Sequence, residues 1–277
     1  ETKDNLTSAT QKANDATATL SQAEDKLAKT TKALDSVDIV KVPDLTQFKQ
    51  DKDSGDSDFM TDSGATAIEN TKVSIGKNAK DEPVDIDNLT QAQKEEISHL
   101  YVQGLKQIRE QLDGLSNTGV TKEAIDLATQ RAKEYKERGK SPLTNGHIGA
   151  GVENLVRLGS KSNFQNMYDL KEAVVRALMD TSFADAHSKW GHLKANLDFA
   201  SKVGLDVVNI NGDYWLVIAF SNKGTTLVNP TNAEAIQKAY KDAKAEKATA
   251  QTASENANEA LKQASTDYAN ALDLKTS

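Results

Sequence analysis

Both ends of the chain carry a hydrophobic repeat of 3.5 residues, the period of a coiled coil. Near the start, the repeat comprises Leu6, Ala9, Ala13, Ala16, Leu20, Ala23, Leu27, Leu34 and Val37. Near the end, it comprises Ile236, Ala239, Ala243, Ala250, Ala253, Ala257, Ala260, Ala264, Ala271 and Leu274. A repeat sustained over about five heptads predicts two long helices, an ascending stalk helix over residues 1–37 and a descending one over residues 229–277. We expect them to pair antiparallel and to present a domain built from the intervening chain; pairing with a second molecule, giving a coiled-coil dimer, is the alternative.

The composition narrows the functional classes. The chain has no cysteine, which excludes disulfides, thiolate metal ligands and a cysteine nucleophile. Its net charge of −7 is spread along the chain without a basic stripe, so nucleic acid is not an expected partner. No run approaches the ~18 consecutive apolar residues of a membrane span. The sequence starts at Glu1 and shows no sorting signal, so we expect it to be a piece of a longer exported protein.

The middle of the chain divides into a polar segment and a globular one. Residues 38–88 are rich in Asp, Gly, Ser and Lys and lack hydrophobic periodicity. We predict a linker with little regular structure there, with disorder as the alternative. Residues 89–228 show amphipathic helical patterns and then two β-rich runs around Asn211-Gly212, the dipeptide that favours a type I′ hairpin turn. These patterns predict an α+β domain between the coiled-coil arms.

Four histidines are candidates for chemistry. His99 lies beside the apolar face of a predicted helix, where a partly buried, hydrogen-bonded role is expected. His147 lies in a glycine-rich loop six residues before Glu153, and His192 follows Trp190-Gly191 shortly before the hairpin. Glycines beside these side chains leave them accessible, which favours a functional cluster; buried structural roles are the alternative.

Three short strings resemble the CAP superfamily, also called SCP-like, of cysteine-rich secretory and pathogenesis-related proteins. They are Gly151-Val-Glu-Asn-Leu, Gly191-His-Leu-Lys-Ala-Asn-Leu and the hairpin ending in Tyr214-Trp-Leu-Val-Ile-Ala-Phe220. Together with the heptad arms, the string from Phe183 to His192 is similar to PgrA-type surface-exclusion proteins of Gram-positive bacteria. The resemblance covers residues 88–222 and implies a helix/sheet/helix sandwich domain, CAP-like, inserted between the two arms.

The resemblance also implies a central cleft with two histidines and two acidic residues, which binds a divalent metal in some members of the family. His147, Glu153 and His192 match three of these positions, and His147 and His192 would be the metal ligands, with zinc as one candidate ion. The two-histidine helical motif of zinc proteases is absent.

The second acidic position of the cleft stays open. Glu172 and Asp185 are both candidates, and His187 is a further candidate ligand. Glu172 also fits as the partner of a helix cap at Asp169, which is a structural role.

The resemblance implies an extracellular, wall-anchored protein that acts by cell-surface recognition, adhesion or surface exclusion, as in the control of conjugation. Its partner would be a surface protein or glycan of a neighbouring cell or of a host. The alternative is a CAP-type hydrolase acting as a protease, with a histidine and glutamate in the cleft and Ser188 or Ser160 as nucleophile. Neither serine lies in a recognisable nucleophile motif, so no catalytic residue is assigned. A structural spacer without any site is the third possibility.

Overall fold

The computed structural model describes residues 1–56, 58, 61–149 and 153–277, which form two compact units. One unit consists of residues 1–37 and 231–277, and the other of residues 38–230. The helices and strands, in chain order, are α1 (Thr2–Leu34), β1 (Ile39–Lys41), α2 (Thr46–Ser54), α3 (Ser63–Asn70), β2 (Lys72–Ser74), α4 (Gln91–Gln111), β3 (Gly119–Val120), α5 (Lys122–Arg138), α6 (Pro142–Asn145), β4 (Glu153–Gly159), α7 (Met167–Phe183), α8 (Gly191–Asp198), β5 (Lys202–Ile210), β6 (Asp213–Ser221) and α9 (Ala233–Thr276). Short 3₁₀ helices lie at Lys77–Asp81, Lys161–Asn163 and Ala186–Ser188.

The first unit is the predicted antiparallel pair of helices, α1 with α9. The buried positions of α9 include Ile236, Ala243 and Ala250, which recur every seventh residue as the heptad pattern predicts. Small alanines at the interface let two helix backbones approach closely. Across the pair, the Lys26 ammonium lies 3.0 Å from the Glu246 carboxylate, an exposed contact of little energetic weight.

The second unit is a sandwich of helices on both faces of a four-stranded sheet with the strand order β3-β5-β6-β4. Side chains alternate along β6, so Leu216 and Ile218 join the larger core with α4 and α7. Trp215 and Val217 face the other way and pack with α5. Successive side chains of a strand point to opposite faces of the sheet, so β6 is buried on both of its faces. The expected helix/sheet/helix arrangement and the α+β class are confirmed.

The β5–β6 hairpin closes the sheet as the sequence predicts. Asn211 and Gly212 both adopt positive φ, 54° and 88°, as a type I′ turn requires. On β5, Gly204 allows α5 to lie directly against the strand, because a Cβ there would fall 2.2 Å from the Ile125 nitrogen.

Residues 38–88 are not the linker that we predicted. They contain β1, α2, α3 and β2, and Leu45 and Phe48 are each 2 % exposed in the core. The Phe48 ring meets that of Phe183 edge-on, with centroids 5.1 Å apart. The apolar residues here are sparse and aperiodic because they fill gaps between elements formed elsewhere. Ser57, Phe59 and Met60 of this segment lie outside the described residues.

A row of glutamines on α4 binds the backbone of this segment. Gln103, Gln107 and Gln111 follow one another at four-residue intervals and therefore share one helix face. Their Oε1 atoms accept from the N–H groups of Val40, Val42 and Leu45, in that order. Their Nε2 atoms donate to the carbonyls of Asp38, Val40 and Pro43.

The structure confirms one predicted helix cap and contradicts another. Thr90 and Gln93 form a reciprocal capping box at the start of α4. The cap of α7 is Asn166, whose side chain accepts from the Asp169 N–H, and Asp169 in turn accepts from the Gln165 N–H. The expected cap at Asp169 with Glu172 as its partner is therefore wrong, since Asp169 is itself the third residue of the helix.

Candidate functional site: two histidine–carboxylate pairs on one cavity

A cavity of about 430 Å³ gathers three of the four histidines. Its wall is built by the α6 turn and His147, by β4, by the end of α7 and by the loop that leads into α8. Trp215 of β6 contributes an apolar surface to the same wall. The lining residues are Pro142, Leu143, His147, Leu155, Val156, Arg157, Asp180, Thr181, Asp185, His187, His192 and Trp215.

The most extensively hydrogen-bonded part of this wall is the pair of Asp185 and His192. Asp185 is fully buried, and its Oδ1 lies 2.7 Å from Nδ1 of His192. Its Oδ2 accepts from the backbone N–H groups of His192 and Leu193, at 2.8 and 3.1 Å. The Ser188 hydroxyl also donates to Oδ1. Asp185 thus satisfies the first turn of α8 and orients the imidazole at the same time.

Local backbone geometry brings Asp185 back to the helix that follows it. Lys189 and Trp190 both adopt left-handed φ, 54° and 65°, a conformation that costs free energy for residues other than glycine. Burial alone would raise the pKa of Asp185, but hydrogen bonds from His192, Ser188 and the Leu193 N–H outweigh it, so the pKa falls below its usual value. The carboxylate is therefore ionised at neutral pH and can accept from all four donors.

The second pair joins His147 to Glu153. The Glu153 carboxylate is buried at the start of β4, and its Oε1 lies 3.3 Å from Nδ1 of His147. The Tyr135 hydroxyl donates to the same oxygen and accepts from the Ile148 N–H at 2.8 Å. Burial and the neighbouring carboxylate raise the pKa of Tyr135, so its hydroxyl keeps its proton.

The other oxygen of Glu153 has an unusual environment. Oε2 is buried without a hydrogen-bond partner among the described residues, and the nearest cation is Arg131, with Nε 3.7 Å away. A buried carboxylate oxygen in this state is costly, which is the kind of feature found at functional sites.

In both pairs, the carboxylate contacts Nδ1, so Nε2 is the ring nitrogen that is available to a ligand. A carboxylate only accepts, so Nδ1 of each histidine carries a proton, and in the neutral form of the ring Nε2 is the atom with the lone pair. A neutral imidazole held in this way is either a metal ligand or a general base.

The donor set fits a divalent cation of the zinc type. Asp185, His187 and His192 each offer one donor atom within 4.8 Å of the others, and the rings of His187 and His192 lie 6.4 Å apart. Asp185 already serves four donors, so the imidazoles of His187 and His192 are the free ligands of this group. His147 lines the same cavity. Imidazole ligands oriented by buried carboxylates are the usual setting of protein zinc sites.

The remaining predicted residues lie elsewhere. Glu172 lines a different groove, whereas Asp185 lines the histidine cavity together with Asp180. His99 is 9 % exposed within α4, and burial lowers its pKa to about 4, which agrees with a structural role. The Ser160 hydroxyl is exposed and pairs with that of Ser162. Gly151 and Val152 of the predicted Gly-Val-Glu-Asn-Leu string lie outside the described residues.

Sequence reasoning missed an asparagine network that supports the site. Asn154 donates to the His192 carbonyl at 3.0 Å and to Oδ1 of Asn196 at 3.1 Å. Asn196 is fully buried and also accepts from the Tyr101 hydroxyl and donates to Thr181. Both asparagines stand in the strings that carried the family resemblance, so the signal was present there, but their pairing was not readable from sequence.

Comparisons with known proteins give a likeness to a solved structure. No protein-family model matches the chain. No curated protein matches it either. Among solved structures, the CAP domain of Enterococcal PrgA is similar in fold, with a TM-score of 0.48 and 18% identity over 69% of this chain and 92% of that chain. Within the described residues, no helix is both long and apolar enough to cross a bilayer. In fold, the chain is thus similar to that CAP domain.

Proposed function

We propose that this chain is part of a surface protein of a Gram-positive bacterium and that its globular unit recognises a ligand on a neighbouring cell or a host. The observation that carries the proposal is the pair of carboxylate-held imidazoles, His147 and His192, on one cavity of about 430 Å³. The paired helices α1 and α9 supply length, about 50 Å for the 33 residues of α1.

The chemistry of the cavity suits a ligand that supplies oxygen atoms. His187 and His192, beside Asp185, would hold a divalent cation, while His147 lines the same cavity without belonging to this donor group. Such a cation would attract a carboxylate or a glycan hydroxyl as an added ligand. The lining also contains apolar side chains, among them Leu143, Leu155 and Trp215, of which Leu143 is the most exposed.

A cell-binding experiment tests recognition. The labelled full chain is added to intact Gram-positive cells and to host cells, with and without a chelator and with zinc restored. We expect saturable binding that the double variant His147→Ala/His192→Ala loses while its thermal unfolding stays close to that of the parent. The double variant Ser160→Ala/Ser162→Ala, on the surface outside the cavity, is the matched control. Absence of saturable binding on every cell type, or equal binding by both double variants, would contradict the proposal.

A role in surface exclusion makes a separate prediction about conjugation. Displaying the chain on recipient cells should lower plasmid transfer from donor cells, and His147→Ala/His192→Ala should restore it if the cavity is the contact site. Unchanged transfer in a mating assay with the displayed parent chain would argue against exclusion and leave recognition to be judged by the cell-binding result.

The second candidate function is a hydrolase, and the geometry of Asp185 and His192 favours it. A buried carboxylate 2.7 Å from Nδ1 orients an imidazole as a general base toward water. The Ser188 hydroxyl donates to Asp185 and not to the imidazole, so water is a better nucleophile than this serine. We expect any cleavage of surface proteins to disappear in His192→Ala with an unchanged thermal melt. Equal cleavage by parent and variant would exclude this function.

A further inference from the structure

Outside the histidine cavity, the clearest unsatisfied feature is the free edge of the two-stranded sheet. β1 and β2 pair antiparallel, and the glutamines of α4 cover the outer edge of β1. All three residues of β2 are exposed, and Val73 at its centre is 44 % exposed although apolar. One edge of this sheet is thus closed by side chains, and no strand among the described residues pairs with the other.

The hydrogen-bond alternation shows where the polar groups of Val73 point. Val73 is paired with Val40 in the strand register. The Val40 N–H donates to Oε1 of Gln103, and the Val40 carbonyl accepts from Nε2 of Gln107. In an antiparallel pair, facing residues exchange bonds only at every second position. The exchanging positions here are therefore those of Lys72 and Ser74, and the N–H and C=O of Val73 point away from β1 toward the open edge.

A groove of about 570 Å³ runs beside this edge. One wall holds Ile68, Val73 and Ile75, and the other is the exposed face of α7 around Tyr168 and Ala173. An added strand needs outward backbone groups and a channel for alternate side chains. The N–H and C=O of Val73 supply the first, and this groove supplies the second.

The charge of the groove favours a basic occupant. Its lining contains three carboxylates, those of Asp169, Glu172 and Asp180, against one guanidinium, Arg176. Arg176 lies 3.8 Å from Asp180 and so offsets only that carboxylate. The Lys80 ammonium lies 4.8 Å from the centroid of the Tyr168 ring and offsets a second charge, which leaves the carboxylates in excess by one.

We propose that the β2 edge and its groove bind an extended peptide segment of another protein, added as a third strand, with basic side chains toward α7 and apolar ones toward Ile68 and Ile75. A second copy of this chain fits less well, since edge-to-edge pairing would bring two acidic grooves together. Asp180 lines both this groove and the histidine cavity, so a bound segment that continues along α7 reaches the cavity. The binding itself does not depend on the function proposed for the histidines.

The test uses the full chain and two fluorescein-labelled peptides of alternating residues, one of Lys and Val and one of Glu and Val. Val73→Pro removes the outward N–H, at an edge position where proline is compatible with a strand. Val73→Thr keeps that N–H and the β-branched shape and is its matched control. Glu172→Lys reverses one charge of the groove, and Glu110→Lys makes the same change on the exposed face of α4.

We expect saturable polarisation of the Lys-Val peptide with the parent chain, Val73→Thr and Glu110→Lys. Loss of one backbone hydrogen bond in Val73→Pro should weaken it about fivefold, and Glu172→Lys by a similar factor. The variant His147→Ala/His192→Ala should bind the peptide as the parent does, which separates this proposal from the preceding one.

Hydrogen exchange on the parent chain tests the proposal without relying on any variant that could misfold. In the parent chain, the Lys-Val peptide should slow exchange at the Val73 amide and leave the amides of β5 unchanged. The proposal is overturned if Val73→Pro and Val73→Thr bind equally, if the Glu-Val peptide binds as tightly, or if no peptide binds. It is also overturned if the Val73 amide is protected by raising the protein concentration alone, because a second copy would then occupy the edge.

Discussion

Replacing Asp185 by asparagine should change the tautomer of His192 while leaving the fold in place. In the parent chain, the carboxylate accepts at Oδ1 from the imidazole and at Oδ2 from two backbone N–H groups. An asparagine can keep its oxygen at the Oδ2 position, and its NH₂ then faces Nδ1. Nδ1 must accept instead of donate, so the proton moves to Nε2, the edge that faces the cavity.

The energetic cost should distinguish asparagine from alanine at this position. Asp185→Asn weakens hydrogen bonds that are charge-assisted in the parent, which should lower the free energy of unfolding by about 1–2 kcal/mol. Asp185→Ala leaves the His192 and Leu193 N–H groups without an acceptor, and at about 1–3 kcal/mol for each the loss should reach about 3–5 kcal/mol. Ser188→Ala removes one donor to Oδ1 and should cost about 1 kcal/mol without changing the tautomer.

Two measurements test this reasoning. Urea unfolding gives the free energies, and ¹⁵N NMR of the His192 ring shows which nitrogen carries the proton. Because the pKa of Asp185 is lowered in the folded state, its ionisation stabilises the fold above about pH 4, and this contribution is lost as the pH falls through the native pKa. Asp185→Asn should lack that acid-dependent loss. A proton that stays on Nδ1 in Asp185→Asn, or equal costs for asparagine and alanine, would refute the argument.

Three further substitutions test the fold. Phe48→Ala should lower the free energy of unfolding, measured in urea, by about 3–5 kcal/mol. Leu143→Ala, at a position that is 67 % exposed, should change it little. Equal effects of the two substitutions would contradict the placement of residues 38–88 in the core. Gly204→Ala should lower the thermal midpoint strongly because its Cβ meets the backbone of α5, and Gly191→Ala, which meets nothing within 4 Å, should not. Since burial lowers the pKa of His99 to about 4, the unfolded state alone binds its proton between pH 6.5 and 4, and stability should fall over that range; His99→Leu should fall less, and parallel pH curves would contradict this.

Elements with a local signal were predictable from the sequence. The type I′ turn at Asn211-Gly212, the capping box at Thr90 and the heptads of α9 depend on residues a few positions apart. Local preference and tertiary packing agree at these places, so the patterns were sufficient.

Residues 38–88 and Asp185 were harder to predict because their partners are distant in sequence or depend on unusual backbone angles. Phe48 packs against Phe183, and no periodicity in the sequence indicates a contact between residues so far apart. Asp185 reaches the first turn of α8 only because Lys189 and Trp190 both have positive φ. Positive φ is rare in residues other than glycine, so a sequence without glycine at these positions gives no sign of it. Glu172 was a reasonable candidate from its helix, but it faces the groove beside β2.

The glutamine row on α4 makes a helix behave as a neighbouring strand would. Four helical residues advance about 6 Å and two extended residues about 6.6 Å, so amides at positions 103 and 107 meet successive outward-facing groups of the partner. At the third amide the alignment moves on by one residue, since Gln111 donates to the Pro43 carbonyl and accepts from the Leu45 N–H. A shift of one residue would misalign the six hydrogen bonds together. The alignment of this stretch is thus encoded in a distant helix that reads its main chain, while its buried side chains are selected separately by the core.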